Sequence, residues 1–141
     1  MQNRRFCNAS GLTMSPYGII RAVKHPFDIA VQKTRDALAS HGFGILHEID
    51  VRKTLKQKLN VEHPNYVILG ACRPDLAHEA LQKDRLMGLF MPCNVVVYEE
   101  NGSVFVAAHE IVKVAGLLEN DELRGVLAGV ESLLRKVVEL V

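Results

Sequence analysis

An Asn-Gly pair between two apolar runs constrains the fold of this chain more than any other feature. Residues 95–98 and 103–108 are both apolar, and Glu99-Glu100-Asn101-Gly102 joins them. Asn-Gly is the strongest short-range signal for a two-residue hairpin turn, because both residues adopt positive φ at low cost. The two runs therefore predict an antiparallel hairpin, which rules out a purely parallel sheet.

Three further apolar runs predict strands over residues 17–23, 43–49 and 66–71. Helices are predicted after Pro26, after Asp50, from Pro74 and after Asn120 or Asp121, where apolar residues recur at helical spacing. The order β-α-β-α-β-α-β-β-α favours an α+β fold, with a single mixed or antiparallel sheet of about five strands and helices packed on one face. We expect a single domain over residues 17–141, preceded by a loose N-terminal arm over residues 1–16.

Composition excludes several classes of function. The chain has 141 residues and 48% are hydrophobic, which suffices for a core without disulfides or metal. Its 17 basic and 16 acidic residues nearly cancel, so we expect no nucleic-acid partner. No apolar run approaches the length of a membrane span, so we expect no membrane partner. Three cysteines without a CxxC spacing favour a reducing, cytoplasmic location.

Five segments carry a likeness to a known family: Gly42–Leu46, Glu48–Asp50, Lys58-Leu59, Tyr66–Cys72 and Leu89–Val97. Over about residues 18–140, and in the right order, the chain resembles the domain of unknown function 302 family. The resemblance implies a TATA-box-binding-protein-like β-α-β4-α arrangement and a homodimer, and it implies no particular activity. The chain departs from the family pattern at Arg73, where the family has Asn, and at His109-Glu110, where it has Asp-Pro.

The resemblance makes the third and fourth predicted strands antiparallel neighbours, which places Cys72 and Cys93 face to face at one edge of the sheet. Cys72 also precedes the helix that begins at Pro74, and Arg73 adds a positive charge beside it. The helix dipole and the guanidinium predict a depressed pKa for the Cys72 thiol. We expect Cys72, Arg73, Cys93 and Asn94 to contact a ligand, with Cys72 and Cys93 as the metal ligands if the ligand is a metal ion.

Three functions remain open at this point. The first is binding of a thiol-reactive or soft-metal ligand at Cys72 and Cys93. The second is a non-catalytic, dimeric ligand-binding or assembly module in which both cysteines are core residues, since free cysteine is often buried. The third is a thiol or sulfur-transfer enzyme, so the sequence leaves open whether the protein is an enzyme. Zinc would need two further ligands, and His47, His78 and His109 lack ligand spacing to either cysteine.

Overall fold

Seven antiparallel strands form one sheet in the computed structural model, which describes residues 6–7 and 11–141. Two strands are only two residues long, and the other five make up the body of the sheet. The predicted α+β class, with a sheet of about five main strands and helices packed on one face, is confirmed. The strands are β1 Phe6–Cys7, β2 Thr13–Met14, β3 Gly18–Val23, β4 Gly44–Asp50, β5 Tyr66–Cys72, β6 Cys93–Glu100 and β7 Ser103–His109.

The strands lie side by side in the order β1-β2-β3-β7-β6-β5-β4. The β6–β7 hairpin occupies the centre, and β3 and β4, which are consecutive in the chain, lie on opposite sides of it. Strand β3 pairs with β7 from Gly18 opposite His109 onward, across a long separation in sequence. This order is compatible with the β-α-β4-α arrangement that the family resemblance implies.

The Asn-Gly hairpin has the geometry that the sequence predicts. Asn101 has a φ of 51° and Gly102 a φ of 78°, so both turn residues are in the left-handed region. Glu100 pairs with Ser103 directly across the turn. This turn sets the register of β6 against β7, and so decides which side chains of each strand face the helices.

The helices begin and end where short polar signals predict. Asp50 Oδ1 accepts a hydrogen bond from Lys53 N at 2.9 Å, and Asn120 Oδ1 accepts one from Leu123 N at 3.0 Å, so both residues are N-caps. Gly42, with a φ of +79°, follows the first helix. The helices are α1 Phe27–Ser40, α2 Val51–Leu59, α3 Pro74–Lys83, α4 Ile111–Ala115 and α5 Asp121–Leu140, with a 3₁₀ helix at Arg85–Phe90.

The core lies between the sheet and the two long helices, α1 and α5. Alternation along β6 and β7 turns one set of side chains toward the helices, and Val95, Val97 and Val106 have no exposed surface. Leu38 on α1 and Leu134 on α5 are likewise fully buried against them. This apolar layer is the main stabilising contact of the domain, because burial of each such side chain contributes about 1.5–3 kcal/mol.

One buried carboxylate ties α4 to α5. Glu131 is 7% exposed, and its Oε2 accepts a hydrogen bond from Val112 N at 2.8 Å. The acceptor satisfies one of the free N–H groups at the start of α4 and places negative charge at the positive end of that helix. Arg135 lies one turn further along α5, 3.5 Å from Glu131 Oε1, and balances the buried charge.

The predicted loose arm over residues 1–16 lies partly outside the described residues. Of the described part, Leu12 is fully buried, and Thr13–Met14 pairs with β3. Among the described residues, no helix has the length and apolar character needed to cross a membrane.

Candidate functional site

Cys72 and Cys93 lie at the same edge of the sheet, as the antiparallel order of β5 and β6 requires. The register differs from the expected one by a single residue, because Ala71 is the partner of Cys93 and Gly44 is the partner of Cys72. The prediction that the two cysteines face each other directly is therefore wrong. Both are free thiols, half-buried, and both line one cavity of about 50 Å³.

The cavity is lined mainly by apolar side chains from α3, α5 and the segment before β6, and we call it the thiol cavity. Two methionines, Met87 and Met91, join the two cysteines in its wall. Sequence reasoning missed both methionines, although Met91 lies only two residues before Cys93. The full lining is Phe43, Ala71, Cys72, Arg73, Leu76, Ala77, Ala80, Met87, Phe90, Met91, Pro92, Cys93, His109, Ile111, Val126, Leu127 and Val130.

Burial dominates the electrostatics of both thiols. Burial, and secondarily the neighbouring Cys72, raises the pKa of Cys93 from 9.0 to about 11. Burial also raises the pKa of Cys72, and the carboxylate of Asp75 raises it further. The predicted depression of the Cys72 pKa is therefore wrong. Desolvation penalises the thiolate, and both thiols are neutral at pH 7.

Arg73 fails to activate Cys72 because its charge is engaged by Asp75. Its Nη2 lies 2.7 Å from Asp75 Oδ2, and its Nε donates to Asp75 Oδ1 at 3.2 Å. This pairing lowers the pKa of Asp75, chiefly through the hydrogen bond from Arg73. The carboxylate that compensates the guanidinium stays close enough to Cys72 to oppose its ionisation. Arg73 caps α3 through backbone geometry alone, without a side-chain hydrogen bond.

Asn94 lies at a different place from the other three predicted site residues. It pairs with Gly70, is exposed, and lines a wide groove of about 760 Å³ on the face of the sheet opposite the core. We call this the open-face groove. Its lining is Ser15, Tyr17, Gly18, Ile20, His47, Tyr66, Leu89, Phe90, Met91, Pro92, Asn94, Val96, Tyr98, Ala107, Ala108 and His109.

The histidines do not complete a zinc set around the cysteines. His109 lines both cavities, His47 lines only the open-face groove, and His78 is exposed on α3. Within residues 6–7 and 11–141, no cluster of three or more His, Cys, Asp or Glu side chains could hold a metal ion. Met87 and Met91 are further sulfur-bearing residues in the wall of the same cavity.

Comparison with known proteins identifies the family. Residues 19–141 match the family described as Domain of unknown function DUF302. The chain belongs to the DUF302 family. A solved structure of an uncharacterized conserved DUF302 protein from Bacillus stearothermophilus is similar to this chain, with a TM-score of 0.84 and 25% sequence identity. The alignment covers 90% of this chain and 100% of that DUF302 protein. A search of curated proteins found no match.

Proposed function

We propose that this DUF302 protein binds a soft metal ion of the Cu(I) class at the thiol cavity. The observation that carries the proposal is that four sulfur-bearing residues, Cys72, Cys93, Met87 and Met91, line one small cavity. Thiolate and thioether sulfur are the ligands that select Cu(I) among biological metals. The proposed site extends the expected Cys72 and Cys93 metal pair by two thioethers.

The size and lining of the thiol cavity favour a single ion over an organic ligand. A volume of about 50 Å³ is well below the ~300 Å³ at which small-molecule pockets begin. Among the described residues, the lining has no carboxylate, the ligand that Mg²⁺ or Ca²⁺ requires. Apolar side chains such as Leu76 and Val130 surround the sulfurs and keep water away from a bound ion.

The charge balance of the thiol cavity is compatible with a monovalent ion. Binding of Cu(I) to two thiols releases two protons and leaves a net charge of −1 on the two sulfurs and the ion. The guanidinium of Arg73 lies in the cavity wall but is already paired with Asp75, so the small net charge of the two sulfurs with a monovalent ion is the charge that the cavity must accommodate. A ligand-binding role is better supported than the thiol or sulfur-transfer enzyme, since neutral thiols are poor nucleophiles at pH 7.

Anaerobic competition for Cu(I) against the chromophoric chelator bicinchoninate tests the proposal. We expect one Cu(I) per chain, with affinity that rises with pH because protons leave the ligands. Cys72→Ser and Cys93→Ser each weaken binding on the order of a hundredfold, since each removes a thiolate. Met87→Leu and Met91→Leu keep the apolar volume and weaken binding about tenfold. His78→Ala, on the exposed side of α3, is the matched control and changes nothing.

The proposal is wrong if the wild-type protein leaves all Cu(I) with the chelator, or if both serine variants bind as the wild type does. Either result would favour the second function, in which the cysteines are core residues of a non-catalytic module. Native mass spectra of the same samples, with and without reductant, separate a bound ion from a disulfide between Cys72 and Cys93.

We also propose that the chain forms a homodimer through strand β4. This strand is an edge of the sheet, so one side of its backbone lacks a strand partner among the described residues. It carries the exposed apolar side chains Leu46 and Ile49. Leu46→Asp should convert a dimer into a monomer in sedimentation velocity. A protein that sediments as a monomer before the substitution would contradict this proposal.

A further inference from the structure

The open-face groove is a second candidate binding site, which shares Met91 with the thiol cavity but is lined by neither Cys72 nor Cys93. It opens on the side of the sheet away from α1 and α5, and its volume of about 760 Å³ lies within the ~300–1,000 Å³ of small-molecule sites. We propose that this groove binds a small organic anion with a flat apolar body, such as an aromatic carboxylate or sulfonate. The proposal does not depend on metal binding at the thiol cavity.

The floor of the open-face groove is built from short or flat side chains. Val96 and Ala107 are cross-strand partners on β6 and β7, and both are half-buried. Gly70 continues the floor on β5, and the imidazole of His47 lies directly over it. A Cβ at Gly70 would be 2.5 Å from the ring atoms of His47. Because Gly70 has no side chain, the imidazole of His47 can pack directly against the backbone of β5 at this position.

Aromatic and apolar side chains make the two end walls of the groove. Tyr66 and Tyr98 stack with ring centroids 5.6 Å apart and planes inclined by 25°, and Phe105 extends the stack behind Tyr98 at 5.3 Å. The opposite wall comes from the segment before β6, where Leu89 is 76% exposed and Phe90 is 43% exposed. Apolar side chains of this size, exposed together at the rim of a groove, indicate a binding surface.

The polar groups of the groove are suited to a negative charge. They are the hydroxyls of Ser15, Tyr17, Tyr66 and Tyr98, the amide of Asn94 and the imidazoles of His47 and His109. Every one of these groups can donate a hydrogen bond, and the described lining contains no carboxylate to repel an anion. Burial raises the pKa of Tyr66, so its hydroxyl keeps its proton at neutral pH.

The same donor-rich lining argues against a second copy of the chain as the occupant. A two-fold interface places one patch against the same patch of its partner. Across such an interface the only side-chain acceptors would be hydroxyls, amides and imidazoles, because the described lining of either copy contains no carboxylate. A small anion supplies the charged acceptor that the described lining lacks, and we place its flat body between the tyrosine wall and the Leu89–Phe90 wall.

Fluorescence titration of the full chain with 1-anilinonaphthalene-8-sulfonate tests the proposal, with the uncharged N-phenyl-1-naphthylamine as the matched comparison. We expect saturable 1:1 binding of the sulfonate. His47→Phe keeps a ring of similar size, and Asn94→Leu keeps the volume, but each removes a donor. Each should weaken binding of the sulfonate about tenfold, the effect of losing one hydrogen bond to a charged group, and leave the uncharged compound nearly unaffected.

Two further variants test whether the sulfonate binds in the open-face groove rather than in the thiol cavity. Ala107→Phe fills the floor and should abolish binding of both compounds, while Cys93→Ser alters the thiol cavity and should leave both unchanged. Amide shifts on adding the sulfonate to ¹⁵N-labelled wild type should concentrate at Asn94, Val96 and Ala107, a readout that needs no variant to fold.

The proposal would be overturned by absence of saturable binding or by amide shifts elsewhere in the domain. It would also be overturned if His47→Phe and Asn94→Leu both bound the sulfonate as tightly as the wild type does. A dimer that Ala107→Phe converts into a monomer, with sulfonate binding unchanged, would overturn it in favour of a second copy on this face.

Discussion

The buried environment of Cys93 predicts that its thiol reacts slowly with iodoacetamide. Its pKa rises from 9.0 to about 11, because burial beside Cys72 penalises the thiolate. Two pH units correspond to about 2.7 kcal/mol of extra free energy for ionisation. At pH 8 the thiolate population, and with it the alkylation rate, should be about a hundredfold below that of the unfolded chain.

The assay uses reduced wild-type protein, alkylated over a pH series and digested so that Cys72 and Cys93 are quantified in separate peptides. We expect the rate at Cys93 to inflect near pH 11 in the native protein. The same peptide, alkylated in concentrated urea, provides the control and should inflect near pH 9. If the rate at Cys93 in the native protein inflects at or below the pH seen in the urea control, the burial argument is wrong. A thiol or sulfur-transfer enzyme would then again be a candidate function.

The same shift makes stability depend on pH at the alkaline end. A thiol whose pKa is raised in the folded state stabilises the fold fully below pH 9, and that contribution is lost as the pH rises through about 11. Urea unfolding should therefore show a loss of up to about 2.7 kcal/mol across this window. Cys93→Ala should lack this component, and an identical pH dependence in the variant would contradict the assignment.

Two further substitutions test how the fold is held together. Glu131→Leu should lower the free energy of unfolding by about 2 kcal/mol, since it leaves a helix N–H unpaired, whereas Glu131→Gln keeps an acceptor and should cost less than about 1 kcal/mol. Equal losses in urea denaturation would exclude the hydrogen bond as the cause. Gly102→Ala should lower the free energy of unfolding by about 1 kcal/mol, because Gly102 has a φ of 78° that alanine adopts poorly. Gly88→Ala is the control and should lower it clearly less, because a Cβ at Gly88 would meet open space. Similar thermal midpoints for the two variants would contradict this.

Local signals account for the parts of the fold that the sequence predicted well. The turn at Asn101-Gly102 and the cap at Asp50 depend on residues a few positions apart, and their chemistry allows few alternatives. The family resemblance supplied what local signals cannot, namely that β5 and β6 are neighbours. Together these gave the correct fold class and the correct edge of the sheet for Cys72 and Cys93.

The electrostatics of the site could not be predicted in the same way. Arg73 and the helix dipole alone favour a thiolate at Cys72, but the pKa depends on how deeply the sulfur is buried and on where Asp75 points. A one-residue change of register, invisible in the sequence, places Ala71 rather than Cys72 opposite Cys93. Met87 lines the thiol cavity because it lies in the 3₁₀ helix that precedes β6, and the sequence did not predict that helix.

The pairing of β3 with β7 has a consequence for how the chain reaches this structure during synthesis. Strand β3 emerges from the ribosome first among the long strands, yet its partner β7 is the last strand to be made. Until then β3 has only the short β2 to pair with in the described chain, and α1 has an incomplete sheet to pack against. Folding of the sheet is therefore held back until most of the domain has been translated, and closure over this long sequence separation is the slow step expected of such a topology.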